Sequence, residues 1–192
     1  MKSVLERLKT ERLYWDGGTG AVLQARGLKP GELSERWNLE HPDEIERLEM
    51  EYLEAGANIL TTNTFSLNDL RFPGEVQMIA EKAVGIAKAA RTKAGREDAL
   101  IALDMGPTGK LIEPLGDLKF DRAVELYGEL AAAGEKAGAD LILIETMSDT
   151  YEAKAAVLGA KEHCSLPIVA SFTYDGQKLK NRLDNCLSNS YK

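Results

Sequence analysis

Five short apolar runs recur along this chain, each closed by a polar or glycine-bearing corner, and a helical pattern follows each of the first four. The corners are Asp16-Gly17-Gly18, Asn63-Thr64-Phe65, Asp104-Met105-Gly106, Glu145-Thr146-Met147 and Ser171-Phe172-Thr173. Strand and helix in strict alternation is the pattern of parallel α/β proteins, because parallel strands need a crossover to connect them. Both (β/α)8 barrels and open doubly wound sheets put their chemistry where these corners fall. A closed barrel takes about 250 residues, whereas this chain has 192. The predicted fold class is α/β, a parallel (β/α)8 TIM-barrel type with about the first five βα units present. A complete five-stranded flavodoxin-like ligand-binding sheet is the alternative, and strand order separates the two.

The predicted strands are 13–15, 57–62, 99–103, 141–144 and 167–170. The unbroken run Leu141-Ile142-Leu143-Ile144 suits a strand buried on both faces. Val4, Leu5, Leu8 and Leu13 predict a short amphipathic helix capping one end of the fold. Ile45, Leu48, Tyr52 and Leu53 mark a helix opened by Pro42 and stopped by Gly56, and 75–93 keeps an apolar stripe at helical spacing. Asp121 is the expected N-cap of the next helix, with Gly138 ending it. Asp149 with Glu152 three residues on reads as a capping box for the last. The stretch 55–64 also matches 137–146 in kind: helix end, glycine stop, strand, polar corner.

A net charge of −7 without a Lys/Arg stripe argues against nucleic acid as a partner. No apolar stretch approaches a membrane span, and the charged N-terminus does not read as a signal peptide, so a cytoplasmic location is expected. Cys164 and Cys186 form neither a disulfide framework nor a zinc clamp. Residues 1–175 are expected to form one partial barrel domain, and 176–192, with scattered leucines and no period, an irregular tail.

Asp16 ends the first strand beside a glycine turn. Its carboxylate suits an ammonium group, and the amides of Gly17 and Gly18 suit a carboxylate, which together describe an α-amino acid. A tight turn in which Asp16 bonds its own backbone explains the same residues. Three glycines in four positions also permit positive φ or a close approach. Glu145 ends a buried strand, where ionisation is costly without a partner, so a ligand or a salt bridge should meet it. Asp104 has the same placement, with its Gly-Pro turn as a structural explanation. Thr62, Asn63 and Thr64 offer neutral hydrogen bonds for binding or for shaping a rim. No lysine ends a predicted strand, which excludes a Schiff-base nucleophile. His41 and His163 lack ligand spacing, and Trp15, Trp37 and Tyr52 are expected to be packing residues.

These motifs, together with Glu54-Ala55-Gly56-Ala57, Gly106-Pro107-Thr108-Gly109, Glu145-Thr146-Met147-Ser148-Asp149 and Pro167-Ile168-Val169-Ala170-Ser171-Phe172, closely resemble the homocysteine S-methyltransferase family. That family includes the homocysteine-binding barrel of cobalamin-dependent methionine synthase and betaine–homocysteine methyltransferase. The resemblance implies that residues 1–175 bind homocysteine at the C-terminal ends of the strands. Asp16 and Glu145 would take its amino group and Gly17 and Gly18 its carboxylate, with Asn63 and Thr64 at the rim. It implies methyl transfer to a zinc-activated thiol to give methionine, with methylcobalamin on another domain or protein as a possible donor. The family's zinc cysteines have no counterpart in this sequence, and Cys164 and Cys186 match neither of their motifs. The chain alone is therefore expected to be inactive; a non-catalytic barrel remnant acting through association is a further alternative.

Overall fold

The computed structural model describes residues 4–174. In chain order its elements are α1 (Val4–Arg7), α2 (Thr19–Ala25), a 3-10 turn (Ser34–Arg36), α3 (Trp37–Glu40), α4 (Pro42–Glu54), β1 (Ile59–Thr61), α5 (Val76–Lys93), β2 (Leu100–Met105), α6 (Phe120–Ala137), β3 (Leu141–Met147), α7 (Thr150–His163) and β4 (Ile168–Phe172). The strands form one parallel sheet in the order β1-β2-β3-β4. Ile59 is opposite Leu100, Ala102 opposite Leu141, and Ile142 opposite Ile168. Sequential neighbours are what a barrel wall requires, whereas a flavodoxin-like sheet would place its first two strands out of order. That alternative is set aside.

Alternation along the strands divides the apolar residues into two layers. Leu60, Ile101, Leu103, Ile142 and Ile144 face outward and pack with the stripes of α5, α6 and α7 in the main core. Ile59, Leu100, Ala102, Leu141 and Leu143 face inward and form a second, smaller cluster closed by Val4 of α1. The N-terminal helix thus caps the fold as expected, through Val4 alone; Leu5 and Leu8 are exposed. Inward positions become polar only at the C-terminal ends, at Thr61, Asp104, Glu145 and Ser171. This gradient positions the site.

One expected helix start differs, and one expected capping box is left incomplete. Lys119, in extended conformation, precedes α6, so Asp121 lies in its first turn instead of at the N-cap. There its carboxylate still meets the positive end of the helix dipole. Gly138 ends α6 in the left-handed region at φ 88°, as the sequence predicts. Asp149 does cap α7, accepting from the Tyr151 amide at 2.8 Å. Glu152 does not complete the box, because its carboxylate is drawn into the core by Thr108 and Tyr127.

The expected first strand contracts to a single parallel bridge between Trp15 and Ile59. Tyr14 accepts from the amides of Asn58 and Ile59, and Asp16 donates to Ile59, before the glycine turn ends the pairing. Three residues with a neighbour on only one side do not sustain a longer ladder. The expected tail, 176–192, lies outside the described residues.

Candidate functional site

The inward polar ends of the strands and the loop after Trp15 enclose a cavity of about 540 Å³, a size typical of small-molecule sites. Asp16, Gly17, Gly18, Asn63, Asp104 and Glu145 all line it, together with Thr61, Trp15 and Ser171. Among the described residues, no lysine, arginine or histidine lines it. The two carboxylates singled out in the sequence therefore converge on one cavity, joined by a third.

Asp16 bonds mainly across the sheet end, with a smaller bond to its own backbone. Its Oδ2 accepts from the Thr61 amide at 2.6 Å and its Oδ1 from the Thr61 hydroxyl at 2.7 Å. These bonds fix the carboxylate across the end of β1. Burial raises its pKa to about 6, against the pull of both Thr61 bonds and with a smaller push from Glu145. Thr61 was not singled out in the sequence. The signal available was parity: it stands two residues after the inward Ile59.

Glu145 reaches the cavity through a break in β3. The pairing with β4 shifts register between Ile144 and Met147, and Thr146 takes a φ of 58°. A β-branched residue at positive φ is strained, and bulges of this kind re-aim side chains beside functional sites. Burial raises the Glu145 pKa, while a hydrogen bond with Asp104 pulls it down.

Asp104 is 3% exposed. Burial first, then the neighbouring Glu145, and then Asp16 and Glu35, push its pKa well above the ordinary carboxylate range. Its Oδ1 has no donor among the described residues.

The glycine turn is built for close approach. A Cβ on Gly17 would stand 2.8 Å from the Tyr52 ring, and the Tyr52 hydroxyl donates to the Gly18 carbonyl at 3.2 Å. None of Gly17, Gly18 and Gly20 has positive φ. Of the two glycine properties considered, only the missing side chain is used, and only at Gly17; a Cβ on Gly18 or Gly20 would meet nothing within 4 Å. The Gly17 and Gly18 amides donate to no acceptor among the described residues.

Asn63 lines the cavity, but its amide donates outward to the Ser34 carbonyl at 2.7 Å. Thr64 lies behind the wall, fully buried, with its hydroxyl on the Asp104 carbonyl at 2.8 Å and against Thr62 at 2.7 Å. Its role in the structure is to fix the end of β2. Trp15, expected to be a packing residue, is 37% exposed and lines the cavity; Trp37 is buried in the core beside α4.

The loop after Asp104 is tied to α7 by Glu152, which the sequence reading took for a capping residue. Its Oε1 accepts from the Thr108 amide at 2.8 Å, the Thr108 hydroxyl at 2.6 Å and the Tyr127 hydroxyl at 3.1 Å. Burial and the adjacent Glu152 push the Tyr127 pKa up, keeping it a donor.

The described residues do not fit a zinc ion. They contain no group of three His, Cys, Asp or Glu able to hold a metal. Cys164 follows α7 and precedes β4, which puts it at the N-terminal end of the strands, away from the cavity. No helix among the described residues is long and apolar enough to cross a membrane.

A family model described as homocysteine S-methyltransferase matches residues 13–187. A methionine synthase of Mycobacterium tuberculosis is 30% identical over 190 residues, covering 90% of this chain and 16% of that protein. The methionine synthase of Mycobacterium leprae is 31% identical over 173 residues, covering 82% and 14%. Among solved structures, the homocysteine methyltransferase MmuM of Escherichia coli in its apo form superposes with a TM-score of 0.69 at 23% identity, covering 90% of this chain and 62% of that one. Its metallated form gives 0.65 at 24% identity, covering 88% and 65%. The chain thus spans about a sixth of the curated relatives and under two thirds of these structures.

Proposed function

Since the chain belongs to the homocysteine S-methyltransferase family, a family of methyltransferases, we propose that its cavity is the amino-acid half of a homocysteine site. Asp16 and Glu145 hold the substrate ammonium, the Gly17 and Gly18 amides receive its carboxylate, and Asn63 and Thr64 shape the wall. One observation supports this reading: among the described residues, three acidic side chains and no basic one line a cavity that also has two free backbone donors. An ammonium is the cation whose donors suit such a cradle, and the glycine amides face the charge that accompanies it.

The reaction served is attack of the homocysteine sulfur on a methyl group, giving methionine. Zinc, for which the described residues offer no site, would supply a thiolate at neutral pH; the methyl donor would be carried by another domain or protein, methylcobalamin being the expected form. The described residues offer the thiol no activating partner, and a protonated thiol is a poor nucleophile. The chain alone therefore binds homocysteine without methylating it. A free thiol substrate places this chemistry in a reducing compartment, the cytoplasm.

Calorimetry tests the assignment. Homocysteine should bind the full chain at about millimolar strength, and both Asp16→Ala and Glu145→Ala should abolish the heat. Binding that survives both substitutions refutes the site; methylation of homocysteine by the chain alone refutes the inactivity.

A further inference from the structure

The third carboxyl group of the cavity, Asp104, has no part in the assignment above. It sits at the inward end of β2, is 3% exposed, and lines the cavity. Its Oδ1 has no donor among the described residues, while its backbone is fully engaged, the amide with the Thr62 hydroxyl and the carbonyl with the Thr64 hydroxyl. Among the described residues, the one side chain within hydrogen-bonding reach of its own is another carboxyl, that of Glu145. Two carboxylates cannot bond each other without a proton between them, and a buried acceptor with no donor is costly. The pair must therefore hold a proton or a cation.

We propose that Asp104 and Glu145 share one proton in the empty site and give it up when a primary ammonium enters, making Asp104 the third acceptor for that ammonium. The ligand keeps its three N–H bonds, the O–H bond of the pair breaks, and the released proton passes to the buffer. Three N–H donors then meet three carboxylates: Asp16 from the loop before α2, Asp104 from β2 and Glu145 from β3. The other charged group acting on Asp104 is Glu35 of the 3-10 turn, whose Oε1 is taken by the Ser66 amide. Among the described residues, no basic group acts on the pair from any packed element. The direction of the Asp104 shift agrees. A cluster of this sign without a cation is unstable fully ionised, so proton and ligand alternate in one place.

This inference rests on the cavity being an amino-acid site, and the experiment keeps the two apart. In the full chain without ligand, carboxyl 13C NMR should show Asp104 and Glu145 titrating as a coupled pair, and Glu145→Gln should leave Asp104 a single step. Methylammonium, a primary ammonium with no other recognisable feature, should shift the upper step of the pair downward. L-homocysteine, titrated calorimetrically in buffers of different ionisation enthalpy near pH 6, should release about one proton per ligand, and Asp104→Asn should bring that release toward zero with affinity about tenfold weaker. Should Asp104→Asn not fold, the carboxyl 13C titration of the unsubstituted chain with and without methylammonium decides alone. Independent titration of the two groups, or homocysteine binding without proton release, overturns the inference and leaves the homocysteine assignment standing. A methylammonium response without homocysteine binding overturns the assignment and leaves the proton exchange standing.

Discussion

Replacing Glu152 by alanine removes one oxygen that serves three donors: the Thr108 amide, the Thr108 hydroxyl and the Tyr127 hydroxyl. Glu152 is 6% exposed and Thr108 3%, so water cannot readily replace it. A hydrogen bond to a charged group is worth about 1.5–3 kcal/mol, and stranding a buried donor costs about 1–3 kcal/mol. The three bonds share one acceptor and do not add, since the two hydroxyls can turn elsewhere while the Thr108 amide cannot. The expected loss for Glu152→Ala is about 3–5 kcal/mol. At a urea slope of about 2 kcal/mol/M, the midpoint of unfolding should fall by about 1.5–2.5 M. Glu152→Gln keeps a carbonyl at the same reach and loses only the charge, so its cost should be about 1–2 kcal/mol. Equilibrium urea unfolding followed by circular dichroism measures both. A loss under about 1 kcal/mol for the alanine variant, or equal losses for the two, would refute the claim that this oxygen ties the loop after Asp104 to α7.

Thr146 holds a φ of 58° at the β3 break, and Thr146→Gly removes that strain at an exposed position. Stability should rise by about 1 kcal/mol by the same urea assay; a loss would mean that the threonine side chain does more than tolerate the turn. Stability should also increase as pH falls from 7 to about 5. Asp16 is raised from 3.8 to about 6, and Asp104 and Glu145 are raised as well, so between those values the folded chain binds more protons than the unfolded one. The contribution of Asp16 is at most about 3 kcal/mol, and Asp16→Asn should flatten the profile. The trend reverses only below the ordinary carboxylate range, where Glu51 and Glu75, lowered by bonds from Arg47 and Arg36, take up protons. A profile that is flat or falls from pH 7 to 5 contradicts the burial of these groups.

Much of this arrangement could be read from the chain, because strand parity and glycine stops are local. Apolar runs located all four strands, and the corners located Asp16, Glu145 and Asp104. Contacts that depend on which distant residues meet were not legible. Thr61 fixes Asp16 from 45 positions away, and Glu152 looked like a capping partner until Thr108 and Tyr127 met it. The break at Thr146 also left no trace, since threonine is an ordinary strand residue with no preference for positive φ. The first strand failed for a related reason: composition predicts a strand, but only a neighbouring strand can extend its ladder.

Among the described residues every charged side chain lining the cavity is acidic, which has a further consequence, for discrimination by sign. Phosphate esters, nucleotides and dicarboxylic metabolites meet repulsion before any contact forms, and the keto or hydroxy counterpart of an amino acid arrives without the one group that would offset it. On the proposed reading, selection for an amine is imposed at entry by the field of the strand ends, leaving the remainder of the pocket free to distinguish one side chain from another.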